Sequence, residues 1–370
     1  MLLFVSAKLS NFVENITAMS QKLIFTNSVN QALTEMIAQM QPQSVWVVAD
    51  TNTANLVVGK QLPLPDGAHL VVIPASDTRK TLDSVQQIWS AMTQGGATRR
   101  AVVVNVGGGM VTDLGGFAAA TFKRGVRFIN VPTTLLGAVD AAVGGKTGIN
   151  FLGYKNEIGA FAPADGVIIS TCFFSTLPRE ELLSGFAEML KHGLISSPEV
   201  YARLLDYDIS AASLPELLPL LQESVEVKSR IVEEDPREQG IRRALNLGHT
   251  VGHAFESRAM QLATPIAHGV AVAHGLLVEM VIGHLLLQFP SEHLYAYARL
   301  LRESYGSLPS LTCKDYDSLL ALMRHDKKNA DADHINFTLL RAPGSVQIDC
   351  TAGSEVITSA LDIYRDLLGE

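Results

Sequence analysis

Cysteine and tryptophan are scarce in this chain, with three of the first and two of the second in 370 residues. Cys172, Cys313 and Cys350 are scattered and odd in number. They offer no C-x-x-C zinc motif and no disulfide framework, a usage that suits a reducing cytosol. No apolar run approaches the ~18–20 residues of a membrane span. The opening Met1–Val5 is too short for a signal-peptide core, and Lys8 follows closely. A cytoplasmic protein without a membrane partner is expected. Excess positive charge is missing too: 29 Lys and Arg stand against 37 Asp and Glu, a net charge of −8. No basic stripe is visible, so nucleic acid is not an expected partner. Local sites for small anions remain compatible with this balance.

What the chain does have is apolar content, 47% of its residues, and a length that predicts two domains. Residues Ser44–Asp50, His69–Ala75, Ala101–Val106 and Arg127–Pro132 read as buried strands. Between Thr81 and Gly95, the residues Leu82, Val85, Ile88, Trp89 and Met92 fall at helical spacing. This alternation predicts parallel strands with crossover helices. Ligands of such sheets bind at strand carboxyl ends, where Asp50, Gly107–Gly109, Thr133 and Thr134 fall. After Pro178 the pattern turns helical, over Arg179–Ser196, Leu214–Glu233, Thr250–Met260, His268–Leu287 and Tyr316–His325. Ser213 is placed to cap the second of these, and a weak strand signal returns at Ile335–Leu340. The expected fold is α/β. A Rossmann-like nucleotide-binding domain spans 1–177, and a mostly α-helical metal-binding domain spans 178–370.

The chemistry concentrates in three places. Residues 107–159 carry three glycine clusters, a density that is costly unless the backbone turns sharply or meets a ligand. Gly107–Gly109 follows a strand, and Thr112 or Asp113 can cap a helix over Leu114–Phe122, which would make an anion site. The loop is not the G-x-G-x-x-G fingerprint and fits a tight turn equally well. Ser76–Lys80 reads either as a ribose contact or as a charged helix start. Secondly, His249, His253 and His268 lie within twenty residues, each beside a glycine. His249 and His253 share one helix face, and the trio points to a metal or catalytic site. Glu188, flanked by apolar residues, is a candidate carboxylate, costly if buried without a partner. Thirdly come basic residues: Lys146 after two glycines, Lys155 between Tyr154 and Asn156, Lys191 three residues from Glu188, Lys228 inside a helix, Arg242 before the histidine cluster, and Lys327 and Lys328 after Asp326. Surface lysines are mostly solvated charge, but several among bare backbone imply a substrate with more than one anionic group.

Seven motifs in order carry a resemblance: GGGMVTDLGGFAAATFKRG (107–125), VPTTLLGAVDAAVGGKTGIN (131–150), KNEIGAF (155–161), TLPREELLSGFAEMLKHG (176–193), EEDPREQGIRRALNLGHTVGHAFE (233–256), AHGVAVAHG (267–275) and DKKN (326–329). Together they resemble the 3-dehydroquinate synthases of the sugar-phosphate cyclase superfamily, from about residue 45 to 350. The resemblance implies an active site in a cleft between the two domains, with NAD and one divalent metal, Zn2+ or Co2+. It implies Glu188, His249 and His268 as metal ligands, which leaves His253 to contact the substrate phosphate. The positions matching cofactor contacts are Asp50, Asn52, Asp77, Lys80, Gly109, Met110, Val111, Thr112, Asp113, Thr133, Thr134, Lys146, Lys155, Phe173 and Thr176. Those matching catalytic or substrate contacts are Asp140, Lys146, Lys155, Asn156, Lys191, Lys228, Arg242, Asn246, Lys327 and Lys328. Arg124 matches an arginine that reaches the neighbouring subunit's phosphate site, which implies a homodimer.

The implied reaction turns a small anionic sugar phosphate, 3-deoxy-D-arabino-heptulosonate 7-phosphate, into 3-dehydroquinate and phosphate. It proceeds by transient oxidation with NAD, phosphate elimination, re-reduction, ring opening and intramolecular aldol closure, early in aromatic biosynthesis (the shikimate pathway). Two departures fall on the cofactor side. Ser76-Asp77 stands where Gly-Glu is usual, and Thr112 where a glycine is common. Two rival classes share parts of the pattern. A metal-dependent alcohol dehydrogenase would leave the anion-binding lysines without a role. A non-catalytic sensor would not need the full set of Glu188, His249, His268, Lys146 and Lys191.

Overall fold

Valine-rich runs build the sheet of the N-terminal half. The computed structural model describes residues 21–59, 62, 64–152, 154–210, 213–309, 311–324 and 334–369. Two units divide the chain. The first ends at Thr133 and also takes Ala141–Ser170; the second takes Thr134–Asp140 and continues from Thr171.

In the first unit the strands are β1 (Lys22–Phe25), β2 (Val45–Asp50), β3 (His69–Ile73), β4 (Val102–Gly107), β5 (Arg127–Pro132), β6 (Lys146–Phe151), β7 (Tyr154–Phe161) and β8 (Gly166–Ile169). Six of them form one sheet in the order β1-β8-β5-β4-β2-β3, parallel throughout. Every residue of β2 and β4 is buried, as expected of strands covered on both faces. The helices are α1 (Val29–Met40), α2 (Ala54–Val58), α3 (Leu82–Gln94) and α4 (Gly109–Thr121). From β2 the chain runs outward to β3, then returns to the other side of β2 as β4. The carboxyl ends of β2 and β4, Asp50 and Gly107, therefore flank the point where the winding reverses, the usual ligand position in such sheets.

Helix α4 starts five residues before the expected Leu114. Its N-cap is Gly108, without a side-chain cap. Thr112 instead bonds back to the Gly109 carbonyl, 3.1 Å away, and Asp113 pairs with Lys80. Bare backbone permits this early start: a Cβ on Gly107 would lie 2.4 Å from the Val111 side chain. Strands β6 and β7 form a separate antiparallel hairpin with Lys146 opposite Phe161. The sequence pattern does not reveal it, because β7 is exposed along nearly its whole length and lacks an inside–outside alternation.

The second unit holds α5 (Arg179–Ser196), α6 (Pro198–Leu205), α7 (Leu214–Glu234), α8 (His249–Gln261), α9 (His268–Leu287), α10 (Ser291–Leu300), α11 (Tyr316–Arg324) and α12 (Ser354–Leu368). A hairpin of β9 (Ile335–Ala342) and β10 (Ser345–Ala352) accompanies them. Two expectations need correction. Ser213 is the N-cap of α7, but its side chain makes no capping bond. One segment is also long and apolar enough to cross a membrane: α9, with mean hydropathy 2.0 over 18 residues, 78% of them buried. Its polar members His268, His274, Glu279 and His284 break the run when it is read residue by residue.

Candidate active site

In the first unit, glycine turns and strand ends place the candidate side chains. Asp50 ends β2, and its Oδ1 accepts from the amides of Asn52 and Thr53, both 2.9 Å away. The carboxylate thus builds its own turn. Residues Gly109–Asp113 are the first turn of α4, whose leading amides have no partner inside the helix. The Thr133 amide donates to the Gly107 carbonyl at 2.9 Å, tying the ends of β4 and β5. Lys80, 3% exposed, contacts Asp113 and donates to Asn156 Oδ1 at 2.5 Å. Lys155 lies 3.4 Å from Asp77, both about half exposed. Lys146, Asn52 and Asn156 are exposed. Arg124 is exposed just after α4, inside three successive residues with positive φ, Lys123 (49°), Arg124 (67°) and Gly125 (110°).

The second unit gathers its charges out of water. Glu188 and His192 on α5 are fully buried, Lys191 is 1% exposed and Lys228 on α7 is 6% exposed. Lys191 contacts Glu188 Oε2. Lys228 donates to the Asp140 carboxylate at 2.5 Å and to the Asp140 carbonyl at 2.6 Å. Burial pushes the Asp140 carboxyl up, but Lys228 and Lys191 outweigh it and hold the group well below the usual carboxylate range. Burial also pulls the Lys228 ammonium down, against the opposing charge of Asp140. His192 is held well below the usual imidazole range by burial and by Lys191 and Lys228, so it is neutral. Arg242, 3% exposed, donates to the Pro236 carbonyl at 2.7 Å. Asn246 donates to Glu238 at 2.9 Å. Phe173 is half-buried and Thr176 exposed in the turn Thr171–Thr176. Thr134 Oγ1 accepts from the Gly137 amide at 3.0 Å. Lys327 and Lys328 lie outside the described residues.

All three candidate histidines converge. The ring of His249 is 5.4 Å from that of His253 and 5.5 Å from that of His268. One nitrogen of each lies within 4.8 Å of the others. Two of the rings are oriented by an oxygen at Nδ1: the Leu247 carbonyl for His249 at 3.1 Å, and Glu256 for His268 at 3.2 Å. Such partners place the proton on Nδ1 and free Nε2 for a metal. Burial, then Lys191, His253 and His268, hold His249 well below the usual imidazole range. Burial lowers His268 as well, but Glu256, Glu188 and Asp140 raise it beyond the ordinary value. Glu188 Oε1 faces His249 Nε2 at 3.6 Å without a hydrogen-bond donor, while Oε2 is in contact with the Lys191 ammonium. A second trio, Asp140, Glu188 and His192, also has ligand atoms within 4.8 Å. There the Lys228 and Lys191 ammoniums already supply the positive charge.

Sequence reading missed several participants. Asp235 accepts from the amides of Gln239, Gly240 and Arg242, at 2.9, 2.6 and 3.2 Å, and so shapes the turn before Arg242. Glu238, in the left-handed region at φ 58°, orients Asn246. A cavity of about 440 Å3 opens beside it, lined by Glu238, Arg243, Asn246, Thr250 and Asp349 among others. An acidic residue a few positions from a candidate contact was the available signal, and it is too common to stand out.

Comparison with known proteins gives a consistent outcome. The 3-dehydroquinate synthase N-terminal family matches residues 70–184, and the 3-dehydroquinate synthase C-terminal family matches residues 185–329. A 3-dehydroquinate synthase of Parabacteroides distasonis is 47% identical over 351 residues, covering 94% of this chain and 99% of that protein. Among solved structures, a 2-deoxy-scyllo-inosose synthase complexed with carbaglucose-6-phosphate, NAD+ and Co2+ superposes with TM-score 0.79 at 24% identity. That match covers 92% of this chain and 95% of the other. A 2-epi-5-epi-valiolone synthase from Streptomyces hygroscopicus with NAD+ and Zn2+ bound gives TM-score 0.78 at 25% identity, over 94% and 97% of the two chains.

Proposed function

The chain belongs to the 3-dehydroquinate synthase family, and we propose that it converts 3-deoxy-D-arabino-heptulosonate 7-phosphate to 3-dehydroquinate and phosphate, using NAD and one divalent metal ion. The observation that carries this reading is the Glu188 carboxylate. It is fully buried, the Lys191 ammonium contacts Oε2, and the donor-less Oε1 stands 3.6 Å from His249 Nε2. Two ligands at ~2.1 Å from one zinc, at a tetrahedral angle, stand about 3.4 Å apart. His268 has one nitrogen within 4.8 Å of the His249 ring nitrogen, and we take Glu188, His249 and His268 as the ligands of one divalent cation. His253 is exposed, which supports a role toward the substrate phosphate rather than the metal. Zinc and cobalt both suit these donors.

When bound, NAD supplies reversible hydride acceptance and the metal supplies Lewis acidity. The remaining work falls to the chain's own groups. Asp140, kept ionised by Lys228 and Lys191, is an acceptor for a substrate hydroxyl. Arg242 and Lys228 offer buried positive charge to carboxylate or phosphate, worth more there than in water. Lys146, Lys155 and Asn156 lie on one hairpin and are proposed as contacts for the anionic groups of the substrate. At the NAD end, the first turn of α4 presents unpaired amides to a pyrophosphate, and Asp77 with Lys80 suits the ribose. Arg124 is proposed to serve the neighbouring copy of a homodimer. Three free thiols, two of them exposed, support a cytoplasmic location.

The test is to supply the heptulosonate phosphate with NAD and zinc and to follow phosphate release and product. Many turnovers per NAD without net reduction are expected. Reduced nicotinamide rising in proportion to product would instead indicate a stoichiometric dehydrogenase.

A further inference from the structure

One buried carboxylate has no part in the chemistry above. Glu279 is fully buried on α9, about three turns beyond His268. Its Oε2 accepts from the Gly248 amide at 2.6 Å, and its Oε1 accepts from the Val251 amide at 3.1 Å. These amides bracket His249. The first amides of a helix lack intrahelical partners, and negative charge is favoured at that end. Here another helix supplies both.

The crossing of α8 and α9 has no slack. Gly275 is one turn before Glu279 on the same face. A Cβ there would lie 2.2 Å from the Gly248 carbonyl and 2.6 Å from the Gly252 amide. Gly248 itself, at φ 79°, would meet Leu276 at 2.7 Å if it carried a Cβ. The backbones therefore touch at Gly275, and the carboxylate one turn on grips the start of α8.

We propose that Glu279 is a positioning residue of the metal centre. It locks the start of α8 onto α9, so that His249 from one helix and His268 from the other face a single point. This rests on the reading that both histidines hold the metal. The charge and the geometry both matter. Two amides point at two oxygens, and an amide side chain of the same size would set its NH2 against one of them.

The test is Co2+ binding to metal-free protein, read by the visible spectrum of the bound ion and by the dissociation constant, with thermal unfolding of each metal-free form. Glu279→Gln should bind Co2+ about 10–100-fold more weakly, with an altered spectrum. Leu361→Ala, in the core of α12, should lose comparable thermal stability and yet bind Co2+ like the parent chain. Parent-like affinity and spectrum in folded Glu279→Gln would overturn the proposal. Should that variant not fold, Glu279→Asp decides. One methylene shorter, it cannot hold both amides, so a smaller weakening is expected, and parent-like binding there is equally fatal. His249→Ala separates the two readings. Lost Co2+ binding in His249→Ala with parent-like binding in Glu279→Gln sinks the positioning role alone. Parent-like binding in both sinks the metal reading and this proposal with it.

Discussion

The charged residues of the two units live under different rules. In the first unit the Lys155–Asp77 pair is 43% and 51% exposed. In the second, Lys191 and Glu188 are 1% and 0% exposed. An exposed pair contributes about 0–1 kcal/mol, whereas removing one member of a buried pair costs about 3–5 kcal/mol. The first unit therefore positions its charges through backbone turns, and each side chain there can change almost independently, with Lys80 as the buried exception. The buried cluster of Asp140, Glu188, Lys191 and Lys228 in the second unit positions its charges through one another, and a single loss there leaves an unpaired ion inside. The Arg203–Glu223 and Arg243–Asp349 pairs of the same unit, by contrast, are exposed.

The strongest way to break that contrast is Glu188→Ala. Turnover should fall by about a thousandfold or more, because a site with one ligand fewer holds its metal too weakly. Circular dichroism should stay native-like while metal content drops. Full activity after rigorous chelation would contradict the metal role.

Arg124 tests the contrast from the other side, as an exposed residue expected to matter greatly. Arg124→Ala should be nearly inactive. Mixed with inactive Lys146→Ala, it should regain partial activity, since one mixed dimer keeps one intact site. No recovery after proven subunit exchange would remove the shared-site role. Guanidinium suits that role because it stays charged and binds phosphate bidentately.

A smaller effect sharpens the idea of mutual dependence. Burial holds His274 down to about 3. Above pH 6.5 both folded and unfolded forms are neutral and nothing is gained or lost. Below it the unfolded chain takes a proton that the folded chain refuses, so stability falls between pH 6.5 and 3. At pH 5 this amounts to about 2 kcal/mol. Urea unfolding of His274→Gln should show a flatter acid limb than the parent. An unchanged slope would discount the residue.

The smallest expected change is Asp77→Ala. One lost hydrogen bond to a ribose hydroxyl is worth about 1–3 kcal/mol, a weakening of NAD binding of about tenfold by fluorescence titration. Folding stability and metal content should not move. Unchanged NAD affinity would mean that this segment does not touch the cofactor.

Much of this was legible in the chain. The strands over Val45–Asp50 and Arg127–Pro132 and the helices over Arg179–Ser196 and His268–Leu287 follow from apolar runs of strand or helix length, which burial on all sides imposes. The histidine cluster was legible because its members lie close in sequence. The hairpin of Lys146–Phe161 was not, because exposed strands carry no period-two signal. The early start of α4 was hidden because glycine can begin a helix without any capping side chain. Glu238, Glu256 and Glu279 escaped notice because their partners are backbone amides or side chains whose proximity only the fold creates. Spacing alone made His253 the first guess for the metal, and the structure brings it together with His249 and His268.

The apolar helix Glu279 belongs to has a consequence during synthesis. Until α5, α8 and α12 have packed around it, a nascent chain displays twenty residues that resemble a membrane anchor. A carboxylate near the middle of a span opposes insertion by about 2.5–3.5 kcal/mol. Glu279 would thus act twice, first as a mark against entry into lipid and later as the clasp between two helices. Replacing it with leucine should raise the fraction of a reporter fusion that inserts into microsomes, a behaviour the finished fold would never display.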